Sequence, residues 1–196
     1  PRGGIRDPQV HYDGQKILFS YRPGGTKHYH LYEIGTDGEG LRQLTDGPYD
    51  DFSPRYLPSG KIMFISTRRG GFHRCGRGPC PVYTLAVAER DGTAIQVVSF
   101  HETHEWDPAV LNDGRVIYTR WDYNDRGQIY PQPLFQMYPN GARQTEFYGN
   151  NSYFPTTILH ARGIPGTTKV LAVLSGHHTH QRGKLAIIDP SRGRQE

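Results

Sequence analysis

Several groups of residues in this sequence have types and spacings that could do chemistry. Cys75 and Cys80 enclose Gly76-Arg77-Gly78-Pro79 in a Gly/Pro-rich stretch. Thiols that close together form a short-loop disulfide in an oxidising compartment, although two cysteines alone do not establish such a compartment. With His73 they also offer ligand types that suit zinc, but structural zinc sites use a second ligand pair, which the sequence lacks. Unpaired thiols are the third reading. His177-His178-Thr179-His180 is the densest run of imidazoles. On a strand His178 and His180 would share a face and His177 would not, and two histidines supply only half of a tetrahedral site. His177, His178 and His180 are candidates for metal ligation, with plain loop histidines as the alternative.

His101-Glu102-Thr103-His104-Glu105 resembles metal-binding spacings only superficially. A zinc-protease helix needs His at i and i+4 around a Glu. Here the spacing is i, i+3, and Trp106-Asp107-Pro108 ends any helix at once. A loop leading into a strand is the better expectation. Asp50-Asp51 and Glu105 with Asp107 could act as paired carboxylates, or could cap turns and meet arginines. Those arginines follow hydroxyl residues in Ser20-Tyr21-Arg22, Ser66-Thr67-Arg68 and Thr119-Arg120. If Arg22, Arg68 and Arg120 are equivalent, they make a cationic ring for a carboxylate or phosphate. The competing expectation is that each pairs with an acid of a neighbouring repeat, such as Asp50, Asp51, Asp107 or Asp122. There is no Gly-x-Ser-x-Gly elbow, phosphate loop or dinucleotide fingerprint.

The elements that must position these residues come from an internal repeat. Asp7-Pro8, Ser53-Pro54, Asp107-Pro108 and Phe154-Pro155 recur at spacings of 46, 54 and 47 residues. The first three lead into a turn at Asp13-Gly14, Ser59-Gly60 and Asp113-Gly114, then a β-rich run over 16–21, 61–67 and 115–119. A second turn follows at Asp37-Gly38, Asp91-Gly92 and Asn140-Gly141. Asn-Gly and Asp-Gly favour two-residue hairpin loops because both central residues need positive φ. Each unit thus reads as a four-stranded antiparallel meander, the blade of a β-propeller. One meander cannot bury both faces, so neighbouring blades must stack. The expected fold is all-β, a propeller of about four blades over 1–46, 47–100, 101–150 and 151–196. The fourth unit is the weakest, with Ile164-Pro165-Gly166 and Ser191-Arg192-Gly193 in place of the two turns. Propellers of this type usually carry more blades, so the chain is expected to be a fragment of a larger propeller; a complete four-bladed ring is the alternative.

Composition removes other classes. No apolar run approaches the roughly 18–20 residues of a membrane span. Gly 24 and Pro 15 among 196 residues fall short of low-complexity disorder, and 13 Tyr, 8 Phe and 2 Trp argue for a packed core. The net charge of +4 is a weak field over this length. Arg68-Arg69 and Arg192–Arg194 read as solvated loop ends, so no nucleic-acid partner is expected.

Asp13-Gly14-Gln15-Lys16-Ile17-Leu18-Phe19-Ser20, then His30–Ile34, Asp37-Gly38 and Leu41-Arg42-Gln43-Leu44-Thr45, resemble the repeat of TolB-type (WD40-like) propellers. Arg6–Val10, Phe19–Gly24, Leu44–Asp51 and Val116–Tyr123 resemble, more specifically, the propeller middle domain of hydrazine synthase α-subunits and related exported planctomycete-type proteins. The resemblance implies a scaffold or interaction domain of a larger exported or periplasmic protein, not catalytic by itself, whose partners are the rest of its own chain or other subunits. It leaves haem c to the parent protein. No cofactor is expected in this segment, because haem attachment uses Cys-x-x-Cys-His and Cys80 is followed by Pro81. Two alternatives stay open: a TolB-like protein- or peptide-binding propeller, and a metal-dependent carbohydrate lyase or hydrolase on a propeller.

Overall fold

The computed structural model describes residues 2–73, 75, 78–123, 131–177, 179–180 and 182–194. Its strands form four antiparallel sheets, each a meander of strands consecutive in the chain, and the fold is a β-propeller. The chain divides into two units, Pro1–Phe72 with Gly78–His101, and His73–Arg77 with Glu102–Glu196. The first holds β1 (Gly4–Val10), β2 (Lys16–Arg22), β3 (His30–Gly35) and β4 (Arg42–Gln43), then β5 (Asp51–Tyr56), β6 (Ile62–Ser66), β7 (Thr84–Ala88) and β8 (Gln96–Val97). The second holds β9 (Glu105–Val110), β10 (Val116–Arg120), β11 (Leu134–Met137) and β12 (Thr145–Tyr148), then β13 (Thr157–Gly163), β14 (Val170–Ser175) and β15 (Lys184–Ile188). The fourth sheet has three strands.

Local chemistry accounts for the hairpins. Gly14, Gly60 and Gly114 close the first turn of their sheets at φ 73°, 85° and 82°, where a side chain would be strained. The middle strands are runs of β-branched and aromatic residues. β6 and β7 are buried along their whole length, as expected for strands covered on both faces. In the first unit Leu18, Leu31, Tyr56, Ile62, Phe64 and Ala86 form one core. In the second, Ile117, Leu134, Phe147, Ile158, Val170 and Ile188 form another.

Every sheet has the same irregularity in its first strand. Asp7, Ser53, Asp107 and His160 adopt positive φ (55°, 47°, 54° and 53°), each at a break in the pairing register. These are β-bulges, which leave one residue unpaired and bend the strand. Pro8, Pro54 and Pro108 follow directly and lose no ladder bond there. The fourth bulge is His160-Ala161, 53 residues after Asp107, so Phe154-Pro155 is not the repeat's fourth counterpart. The bulge needs a residue that tolerates positive φ and does not need a proline after it.

The bulges also join neighbouring first strands within each unit. An Asp7 carboxylate oxygen accepts from the Ser53 backbone N–H (3.1 Å) and hydroxyl (3.2 Å). Asp107 accepts from the His160 N–H at 3.2 Å and meets its imidazole Nδ1 at 3.1 Å. Burial would raise the Asp107 carboxyl, but these His160 contacts outweigh it and hold the group below the ordinary carboxylate range. Asp107 is thus a linker between strands.

Candidate functional site

The three candidate arginines are not register equivalents. Arg22 lies opposite Gly4, three residues before its bulge; Arg120 lies opposite Glu105, two before; Arg68 lies two residues beyond Ser66, the last residue of β6. Their partners differ too. Arg68 donates to Asp51 at 2.8 Å and to the Asp46 carbonyl at 2.9 Å, and stands over the Tyr49 ring. The Ser66 hydroxyl donates to the other Asp51 oxygen at 2.7 Å. Arg120 donates to Asp122 at 2.8 Å and stacks on Phe135. Arg22 donates to the carbonyls of Arg2 and Thr26. Arg68 and Arg120 therefore take acids of their own repeat, where a neighbouring repeat was expected. The reason is geometric: Asp51 starts the strand paired with β6, and Asp122 is two residues beyond Arg120.

The other candidates are placed as follows. Cys75 and Cys80 are free, half-buried thiols, so the disulfide expected from their spacing is not formed. The His177 backbone N–H donates to the Thr156 hydroxyl at 2.8 Å. His180 is exposed, and His178 lies outside the described residues. Neither His177 nor His180 belongs to a cluster of three metal-ligating side chains among the described residues.

The richest chemistry lies in the second unit, at the mouth of β9. His104 precedes β9, Trp106 is its second residue, and Trp121 and Tyr123 follow β10. His73 comes from the long Gly/Pro-rich insertion of the sequence. Its ring meets His104 edge-on, 4.7 Å between centroids, and lies 5.6 Å from Trp121. His104 stacks on Trp121 at 5.8 Å and approaches Trp106 at 5.8 Å, while Tyr123 meets Trp121 edge-on at 5.4 Å. Backbone bonds hold the frame: the Trp121 N–H donates to the His104 carbonyl at 2.9 Å, and the Thr103 hydroxyl donates to the Trp121 carbonyl. The Cys75 N–H donates to His73 Nδ1 at 3.1 Å, which orients that ring.

Burial, then the nearby His73, pushes the His104 imidazole down to about 4. At neutral pH His104 is uncharged, and a neutral ring nitrogen can accept a hydrogen bond or ligate a metal. Two imidazoles supply half of a tetrahedral site, and the indole walls suit a flat or cationic group. From the sequence, His104 reads as loop and His73 as one thiol-site ligand. What was visible was the density of Trp and His in His101–Trp106; what was missing was the fold that returns His73 to it.

Covalent haem does not fit these residues. The free thiols of Cys75 and Cys80 are separated by four residues, where attachment needs two, with His following.

No family model and no curated protein matches the chain. Solved structures do. Hydrazine synthase of Kuenenia stuttgartiensis superimposes with a TM-score of 0.81 at 20% identity, over 94% of this chain and 31% of that chain. A putative TolB from Agrobacterium tumefaciens gives 0.66 at 12%, over 92% and 63%. TolB from Acinetobacter baumannii gives 0.63 at 14%, over 93% and 40%. The chain thus spans less than two thirds of each of these proteins. At such identities the likeness carries the fold: a TolB-like β-propeller that resembles hydrazine synthase.

Proposed function

We propose that this chain is the scaffold or interaction propeller of a larger, exported protein and does no catalysis by itself. The observation that carries the reading is its closer superposition on hydrazine synthase than on the TolB structures. The polar chemistry agrees with it. Asp7, Asp51, Asp107 and Asp122 hold Ser53, Ser66, His160 and the arginines in place, which supports an architectural role for these four acids. Haem c in the parent protein would be attached by segments other than this one. Among the described residues, no helix is long and apolar enough to cross a membrane.

The test is to express the complete open reading frame and this chain separately. Each is assayed for covalently bound haem and for hydrazine formation, and the complete protein for export. Expected are an exported complete protein that carries haem, and a folded isolated chain with neither haem nor turnover. Turnover by the isolated chain overturns the reading. So does a complete protein without export or haem, and partner capture across a TolB-like propeller is then the better account.

A further inference from the structure

In the second unit, a cavity of about 650 Å³ opens beside the third and fourth sheets, within the size range of small-molecule sites. Gln136 of β11 and Phe147 of β12 line it, with Gly163 of β13 beside them and Arg115, Lys169 and Arg194 around them. Gln136 is only 3% exposed. Its Nε2 donates to the Thr145 hydroxyl at 3.3 Å, while its Oε1 has no hydrogen-bond partner. A buried acceptor without a donor is costly, by about 1–3 kcal/mol.

The first unit shows how the repeat closes the same position. Gln136 pairs with Ile117 and Thr145; Glu33 of β3 pairs with Leu18 and Arg42. Ile117 and Leu18 both sit opposite the residue two beyond the bulge, so Glu33 and Gln136 are counterparts. Glu33, 2% exposed, receives Lys16 Nζ at 3.0 Å, Arg42 Nη2 at 2.7 Å and the Tyr56 hydroxyl at 2.9 Å. A recess of about 490 Å³ beside Glu33 is lined by residues of the first repeat alone. In the second unit every partner is changed. Thr145 stands at the place of Arg42, and Gly163, three residues past its bulge, at the place of Tyr56. Arg115, at the place of Lys16, turns to Asp113 at 2.7 Å. Lys169 pairs with Asp189 at 3.2 Å, and Arg194 donates to the Glu146 carbonyl at 3.3 Å.

We propose that this cavity is a binding site for a small hydroxylated carboxylate. Gln136 Oε1 is sealed from solvent in the free protein; on binding, the amide turns toward the cavity to accept from a ligand hydroxyl, and the carboxylate meets Arg194 and Arg115, as guanidinium groups favour. The ring or chain of the ligand rests on Phe147. The neutral amide in place of Glu33 removes one anionic charge, and the carboxylate that remains in the lining, Asp113, is paired with Arg115.

The probe is gluconate, with glucose (hydroxyls without charge) and acetate (charge without hydroxyls) as controls, titrated into the isotopically labelled chain by NMR. Gluconate is expected to bind saturably and shift Gln136, Phe147 and Arg194, with both controls at least about tenfold weaker. Gly163→Tyr restores the first unit's plug and is expected to abolish binding with unchanged melting. A Cβ there meets Leu111 Cδ2 at 3.5 Å, an ordinary contact. Arg194→Ala, at an exposed residue, is expected to weaken binding about tenfold, the scale of one charge-assisted bond. The proposal is overturned by no saturable binding, by equal binding of a control, or by binding that survives both substitutions.

Discussion

Each unit builds a pair of meander sheets, and the two units finish the pair differently. In the first, Glu33 gathers Lys16, Arg42 and Tyr56 into a closed polar plug. In the second, Gln136, Thr145 and Gly163 occupy those register positions and leave a cavity. The apolar cores are alike: Leu31, opposite Ser20, and Leu134, opposite Thr119, are register counterparts and both fully buried. The comparison teaches that this repeat separates two jobs. Middle-strand apolar residues make the blade, and one polar position per sheet pair decides whether a side chain of the next sheet bridges to it, as Tyr56 does to Glu33.

Core deletions should produce the largest effect, and they test whether the cores are equivalent. Leu31→Ala and Leu134→Ala should each cost about 3 kcal/mol, read by urea denaturation. Both tryptophans, Trp106 and Trp121, lie in the second unit, so their fluorescence follows that unit while circular dichroism follows both. A difference of more than about 1 kcal/mol between the variants would break the equivalence.

The polar position comes next. Burial would raise the Glu33 carboxyl, but the bonds from Lys16, Arg42 and Tyr56 outweigh it and hold it below its ordinary value. Glu33→Gln should therefore destabilise by about 2 kcal/mol, the scale of bonds to a buried charge. Gln136→Leu removes an acceptor that had no partner and gives up the bond to Thr145, so it should leave stability unchanged or raise it by up to about 2 kcal/mol. Equal losses would show that Gln136 is as fully engaged as Glu33.

A pH effect should separate the units as well. The His104 imidazole titrates near 4 in the folded chain against an ordinary value of 6.5. The unfolded chain then binds the proton more readily, so stability is full above pH 6.5 and falls as the pH drops toward 4. The loss over that window should be about 1–2 kcal/mol after allowing for partial exposure, and His104→Gln should flatten it. Melting followed by tryptophan fluorescence at pH 7 and pH 4.5 reads the slope; an unchanged slope in the variant would assign it elsewhere. The smallest effect belongs to the exposed Lys61–Glu89 pair, 2.6 Å apart. Glu89→Ala should cost less than about 0.5 kcal/mol in the same denaturation experiment.

Much of the blade was legible in the residues. Asp13-Gly14 and Asp113-Gly114 announce hairpins, and Lys16–Tyr21 and Arg115–Thr119 announce the strands after them, because positive φ and β-branched packing are local demands. The bulges were half legible. Asp7-Pro8, Ser53-Pro54 and Asp107-Pro108 mark three, but the fourth is His160-Ala161, which carries no proline signal. The arginines misled because a hydroxyl followed by Arg does not reveal register: one residue of slip moves a side chain to the other face. The His73–His104–Trp121 cluster was illegible because its members meet only after the insertion folds back on the third sheet.

By itself, then, the sequence determined an all-β chain of stacked meanders, their turns and their apolar strands, since each follows from the conformational preferences of neighbouring residues. The tertiary structure alone decided which acid holds which arginine, where the fourth bulge falls, and that Gln136 answers to Glu33. Those outcomes depend on pairing register and on partners dozens of residues away, Tyr56 for Glu33 and Gly163 beside Gln136. A side chain's chemistry is completed by whatever the neighbouring sheet places against it.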